Sequence, residues 1–187
     1  SYLPPSTFDV DHLPMGAAAG DLDEDGRIDL VLGHDSDRVT VLLNSGTRTF
    51  GVPVEYGGDA LMRYVALGDM DSDGDLDIVG GETDTGIRIL WNAGDGTFDA
   101  MGGFASPLFP NAVTLADFNG DETVDVALAH LCTAFGCTNP AVSVHVNDGN
   151  GNFTQAYYRV FNIGRLSSIA SGDFDGDGDQ DLAIASH

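Results

Sequence analysis

Twenty positions in this 187-residue sequence have the side chains and the spacing to hold a hard cation. They fall into four groups of five: Asp21, Asp23, Asp25, Arg27 and Asp29; Asp69, Asp71, Asp73, Asp75 and Asp77; Asp117, Asn119, Asp121, Thr123 and Asp125; Asp173, Asp175, Asp177, Asp179 and Asp181. The shared pattern is D-x-[DN]-x-D-G-x-x-D. Side-chain oxygens at loop positions 1, 3, 5 and 9 can converge on one point if the chain curls around it. Position 7 can add a backbone carbonyl, here from Arg27, Asp75, Thr123 or Asp179, and a glycine at position 6 allows the sharp turn. Six or more oxygen donors with a water suit Ca²⁺ better than Mg²⁺, which takes fewer protein ligands in a stricter octahedron. No Cys or His lies in these loops, which disfavours zinc and copper. The expected cofactor is therefore Ca²⁺, in about four sites. An EF-hand is excluded: it needs a bidentate Glu at position 12 between helices, and that position holds Leu32, Gly80, Leu128 and Ile184. The third loop is expected to bind most weakly, because Asn119 removes a charge and Glu122 stands where the others have Gly.

Charge bears on the same point. Thirty acidic residues stand against seven basic ones, a formal net charge of −23. Such a chain repels nucleic acid and anionic membrane surfaces, so neither is an expected partner. The acids recur in register between apolar segments, unlike the acidic blocks of disordered chains. No apolar run approaches the roughly 18 residues of a membrane span, so membrane insertion is not expected. Carboxylates packed this closely repel one another unless a cation sits among them.

The elements that must position the loops repeat as well. Asp21, Asp69 and Asp117 are spaced by 48 residues, and Asp173 follows after 56. Before each loop runs a short alternating segment ending in a small residue. After it comes a β-rich run, at 28–33, 76–81, 124–129 and 180–185. A third segment alternates strictly: Val39, Val41, Leu43; Ile87, Ile89, Trp91; Val142, Val144, Val146. It ends each time in Asn, at Asn44, Asn92 and Asn147, and six residues later Phe50, Phe98 or Phe153 opens a fourth strand. The Gly- and Asn-rich stretches between are hairpin-turn chemistry. Four short antiparallel strands in a tandem unit of roughly 40–50 residues are the signature of β-propeller blades. The fold class is all-β: three whole blades of four antiparallel strands plus partial ones. The repeats span about 15–54, 63–102, 111–160 and 167–187, the last incomplete, and 1–12 forms the outer strand of a preceding or closing blade. Three arrangements stay open: a fragment of a longer chain with missing blades, a small ring, or a homo-oligomer whose ends complete one another.

The acidic loop between the first two strands, with N-x-G-x-x-x-F further on, resembles the FG-GAP or VCBS repeats, the blades of integrin α-subunit-type propellers and of many secreted bacterial proteins. The resemblance covers nearly the whole chain. It implies Ca²⁺ bound by the Asp and Asn residues above on one face, and a protein or glycan ligand contacted by loops on the opposite face. The expected function is that of a calcium-binding extracellular module, secreted or at the cell surface, for adhesion or ligand binding, the calcium being structural. The second reading is a carbohydrate-binding or accessory propeller of a secreted enzyme. Catalysis by the chain itself is not expected: no nucleophile elbow, phosphate loop or zinc-protease helix is present.

Other residues carry weaker signals. His34, Glu82, His130 and Ser186 follow the last loop Asp by five residues and should ring the opposite face, with Asp35, Asp37, Arg63 and Asp84 nearby. They are more readily ordinary loop residues than a convergent site. Tyr157, Tyr158 and Phe161, or Phe104, Phe109 and Phe135, could stack on sugars, whereas Trp91 aligns with Leu43 and Val146 and belongs to the core. Cys132 and Cys137 are two ligands too few for zinc. A local disulfide in an oxidising compartment and two free thiols both remain open.

Overall fold

A computed structural model of the chain describes residues 9–10, 12–46, 49–57, 62–82, 86–106, 109–131, 140–161 and 164–187. Most of the outer strand expected over 1–12, the expectations for Asp84, Cys132, Phe135 and Cys137, and that for the Glu82 side chain fall outside the described residues.

The alternating segments form antiparallel meanders. β1 (Pro14–Gly20), β2 (Asp29–His34), β3 (Arg38–Leu42) and β6 (Val54–Gly57) make the first sheet, in that order. β7 (Met62–Gly68), β8 (Asp77–Glu82), β9 (Gly86–Asn92) and β10 (Phe98–Ala105) make the second. β11 (Pro110–Ala116), β12 (Asp125–His130), β13 (Ala141–Asn147) and β14 (Phe153–Val160) make the third. β15 (Leu166–Gly172) pairs with β16 (Asp181–Ser186). Each first strand slips register near its start, between Pro14 and Gly16, Met62 and Tyr64, Pro110 and Ala112, and Leu166 and Ser168. A bulge repeated four times at one place is a built feature of the unit.

One strand starts elsewhere than expected. Phe98 and Phe153 open β10 and β14, but Phe50 closes a small hairpin of β4 (Asn44–Gly46) and β5 (Thr49–Phe50). The fourth strand of the first sheet then begins at Val54. Pro53 has no N–H to give a ladder, so pairing along β3 cannot run continuously from Phe50.

The core lies between successive sheets. Val31, Val39 and Val41 of the first sheet meet Met62, Ile78, Leu90 and Phe98 of the second. Val79, Ile87 and Ile89 of the second meet Val126 and Leu128 of the third. Ala127, Val142 and Val144 of the third meet Leu166 and Ile169 of β15. One face of each third strand therefore serves one junction and the other face the next, which is why both faces are apolar in part. The sheets approach closest at their inner strands: a Cβ on Gly33 would stand 2.5 Å from the Met62 carbonyl oxygen. Trp91, half-buried, packs against the second core as expected of it. The described residues form a stack of β-propeller blades, three of four strands and one of two.

Candidate metal centre

Each acidic loop joins the first strand of a sheet to the second, so all four sit at the same end of the stack. Backbone amides fold each loop around its carboxylates. The position-9 Asp opens the second strand, and its Oδ2 accepts the N–H of position 2: Leu22 to Asp29 (2.8 Å), Met70 to Asp77 (2.9 Å), Phe118 to Asp125 (2.9 Å) and Phe174 to Asp181 (3.0 Å). Position 1 accepts from position 6: Gly26 to Asp21 (2.9 Å), Gly74 to Asp69 (3.0 Å), Glu122 to Asp117 (2.8 Å) and Gly178 to Asp173 (3.2 Å). Position 5 accepts from position 7: Arg27 to Asp25, Asp75 to Asp73 and Thr123 to Asp121 at 2.9 Å, and Asp179 to Asp177 at 3.0 Å.

This curl brings positions 1, 3 and 9 together. Asp21, Asp23 and Asp29 each place a carboxylate oxygen within 4.8 Å of the others, as do Asp69, Asp71 and Asp77, and Asp173, Asp175 and Asp181. Like charges so spaced cost about 3–4 kcal/mol per pair at an effective dielectric of about 20. Position 5 stands beside these triads with one oxygen held in its turn. Asp25 is further paired with the Arg27 guanidinium, whose Nε also donates to the Asn44 carbonyl (2.6 Å). Thr123 makes the same reach to the Asn147 carbonyl (3.2 Å).

The residues fit a cation. All the converging donors are hard oxygens. Asp71 Oδ1 is buried and has no hydrogen-bond partner among the described residues. Burial pushes the Asp71 carboxyl up, and pushes Asp77 up to about 6 although amides of Asn92 and Met70 oppose it. Burial likewise raises Asp125. These are carboxylates short of positive charge. The third loop differs. Asn119 turns its Nδ2 toward Asp121 Oδ2 (2.7 Å), leaving Asp117 and Asp125 as the carboxylates at positions 1 and 9. At Asp117 burial favours the neutral acid, but amides from Glu122, Gly120, Asp121 and Asn119 outweigh it and hold the group low.

Asn92 and Asn147, which end the third strands of their sheets, and Asn44, two residues beyond β3, have a role the spacing did not reveal. Each donates its backbone N–H to Oδ1 of the position-9 Asp: Asn44 to Asp29 (2.7 Å), Asn92 to Asp77 (2.9 Å) and Asn147 to Asp125 (2.8 Å). The side-chain amide reaches the position-8 carbonyl of its own loop, Ile28, Leu76 or Val124. Asn92 and Asn147 also reach back to the preceding blade, to the carbonyls of Leu22 (2.9 Å) and Met70 (2.8 Å). The amide oxygen accepts an N–H from the turn that follows.

At the opposite end the histidines join no metal-binding group among the described residues. His34 and His130 are fully buried, with Nε2 against Thr40 Oγ1 (2.7 Å) and Ser143 Oγ (2.8 Å). Ser143 also bridges to His145 (3.0 Å), which burial lowers to about 4. Arg63 pairs with Asp35, and Asp37 lies 3.7 Å from Arg38.

The pattern of the FG-GAP-like repeat matches residues 21–80, 69–128 and 131–184. No curated protein sequence matches the chain significantly. Among solved structures, the fold is similar to BBS1N crystallised in complex with ARL6DN and soaked with lead: TM-score 0.59 at 16% identity, over 98% of this chain and 50% of that one. The chain thus spans half the length of that structure. A mercury-soaked crystal of the same complex aligns at TM-score 0.38 and 8% identity, over 94% and 75%.

Proposed function

Since the chain belongs to the family of FG-GAP-like repeats, we propose that it is a calcium-stabilised stretch of β-propeller that acts as a non-catalytic scaffold for binding a protein partner. Calcium is structural in this reading. The observation that carries it is the threefold convergence of position-1, -3 and -9 carboxylates, one of them with a buried oxygen that no described residue satisfies. Asp21, Asp23 and Asp29, with their counterparts in the second and fourth loops, would hold Ca²⁺, position 5 would join from the side, and the third loop would bind last. A bound cation would offset the mutual repulsion of each triad and so favour the folded chain by mass action. Working at the millimolar calcium outside cells suits such sites, which is the ground for placing the chain in a secreted or cell-surface protein with an adhesive role.

A protein rather than a glycan is the favoured partner. A solved chain of similar fold is in complex with another protein. The exposed aromatics that could stack on sugars, Tyr157 and Tyr158, lie on β14 beside the incomplete blade, and Phe104 is packed in the second core. Calorimetric titration of EGTA-stripped protein with Ca²⁺ and with Mg²⁺ tests the reading. Calcium uptake at two or more sites with a matching rise in unfolding temperature is expected. Uptake with no change in stability would refute a structural role, and no uptake would refute the sites.

A further inference from the structure

The asparagine contacts join the loops of separate blades into one line. In the first loop Leu22 gives its N–H to Asp29 Oδ2 (2.8 Å), and its carbonyl accepts the side-chain amide of Asn92 (2.9 Å). Asn92 gives its backbone N–H to Asp77 Oδ1 (2.9 Å), the position-9 carboxylate of the second loop. Asp77 Oδ2 accepts the N–H of Met70 (2.9 Å), whose carbonyl accepts the side-chain amide of Asn147 (2.8 Å). Asn147 gives its backbone N–H to Asp125 Oδ1 (2.8 Å), and Asp125 Oδ2 accepts the N–H of Phe118 (2.9 Å). The position-9 carboxylates of the first, second and third loops thus share an unbroken run of hydrogen bonds. All its members but Phe118 are buried, so water does not compete for them.

The links have little slack. Asn92 Oδ1 accepts the N–H groups of Gly94 (3.1 Å) and Gly96 (3.2 Å), and its Nδ2 also holds the Leu76 carbonyl (3.1 Å). The turn after Asn92 is packed on the loop of the blade before it: a Cβ on Gly96 would stand 3.4 Å from Asp23 Cβ, at position 3 of the first loop. The turn after Asn147 sits the same way on the second loop, where a Cβ on Gly149 would stand 3.2 Å from Ser72 Oγ. Each loop therefore meets the next blade through a buried amide and through a packed turn.

We infer, on the reading of these loops as calcium sites, that binding in neighbouring loops is positively cooperative and that Asn92 and Asn147 carry the coupling from blade to blade. A cation seated among Asp21, Asp23 and Asp29 fixes the Asp29 carboxylate and, through its hydrogen bond, Leu22. The Leu22 carbonyl then holds Asn92 where its N–H meets Asp77. The second loop has less ordering left to do when its own cation arrives, and a site already ordered by another ligand binds with a smaller loss of conformational entropy. The same steps run from Asp77 through Met70 and Asn147 to Asp125, so filling the second loop favours the third, the one short of a carboxylate. Charge alone works in the other direction, since a cation in one loop repels another approaching the next.

The test is a calcium titration of the EGTA-stripped full chain, followed at the amide NMR signals of Gly26 and Gly74, each of which donates to the position-1 carboxylate of its own loop. The two signals should move together and sigmoidally. Asp71→Ala removes a carboxylate of the second triad that takes no part in the run, and it should raise the calcium needed at Gly26 at least about fivefold. Asp23→Ala should do the same at Gly74, because coupling is reciprocal. Asn92→Ala changes no charge, and in its background the effect of Asp71→Ala on Gly26 should shrink to under about twofold. Should Asn92→Ala fail to fold, the reciprocity of the first two variants, which leave Asn92 in place, decides. Unchanged or improved affinity at Gly26 in Asp71→Ala, or an undiminished effect in the Asn92→Ala background, would overturn the coupling and leave the calcium sites standing. No calcium-dependent change at either amide would overturn the sites and the coupling with them.

Discussion

Asp77 is almost wholly buried, takes amides on both oxygens, and still faces two more carboxylates. Its carboxyl is raised to about 6, chiefly by burial, so without metal the folded state holds a proton that the unfolded chain releases near 3.8. That stability is present at low pH and is lost as pH rises through about 6. His145 works the other way: lowered to about 4 by burial, it contributes stability above 6.5 that is lost as pH falls toward 4. Between pH 7 and 5 the two oppose, and in EGTA the unfolding temperature should change little. Bound calcium reverses the carboxylate contribution, because the cation must compete with protons, so in excess calcium the unfolding temperature should fall steeply on acidification. Parallel profiles in EGTA and calcium would remove the carboxylates from the account. Backbone strain is a separate residue-scale matter. Glu122 does adopt the left-handed conformation, φ 70°, but Glu24 (55°) and Ser72 (64°) adopt it at position 4, where the third loop has Gly120. The first three loops therefore carry one non-glycine left-handed residue each, and the fourth carries none. Glu122 does not single out the third loop; the missing carboxylate at Asn119 does. Ser72→Gly and Glu122→Gly should each raise stability by up to about 1 kcal/mol, and Gly178→Ala should lower it by about 1–2 kcal/mol, in denaturant titrations with EGTA.

A strand's identity was legible wherever its neighbours in sequence determine it. Val39–Leu43, Ile87–Trp91 and Val142–Val146 alternate because one face of each serves the next blade. The loop carboxylates were legible because their amide partners lie two to seven residues away. Asn92 and Asn147 were not, since the carbonyls they bind across the blade junctions lie 70 and 77 residues away. His34 and His130 were placed at the correct end, but their burial depends on hydroxyls of the adjacent strand, Thr40 and Ser143, which spacing alone does not pair with them. The asparagine clip yields a graded prediction. Asn92→Ala strips a donor from the Leu22 and Leu76 carbonyls in a buried setting and should cost about 2–3 kcal/mol. Asn44 binds the exposed Ile28 carbonyl and no described carbonyl of another blade, so Asn44→Ala should cost under about 1 kcal/mol. Equal losses in chemical denaturation would mean that the inter-blade bond contributes nothing.

At the scale of the molecule, the stack changes from one end to the other, and the position-2 side chain records it. Leu22 and Met70 are 1% and 0% exposed beneath a complete following blade, Phe118 is half-buried beside the two-stranded one, and Phe174 is 61% exposed. Burial of this side chain is conferred by the next blade in line, so stability is shared between neighbouring blades. The charge is shared differently. A formal charge of −23 on 187 residues acts over the whole chain, and four bound Ca²⁺ would reduce it to about −15 while neutralising the places where it is densest. Repulsion inside a triad, at 4.8 Å, is shorter than the Debye length of about 10 Å in 0.1 M salt, whereas repulsion between loops on separate blades is long enough to be screened. Sodium chloride and calcium should therefore act unequally. In EGTA, raising sodium chloride from about 0.05 to 0.5 M should raise the unfolding temperature by a few degrees through the long-range part alone. Adding calcium at a few millimolar in low salt should raise it much further, because only an ion seated among the carboxylates relieves the short-range part. After calcium loading, the response to sodium chloride should shrink. If high salt without calcium restored the full unfolding temperature, net charge and not the loops would govern the stability of the stack.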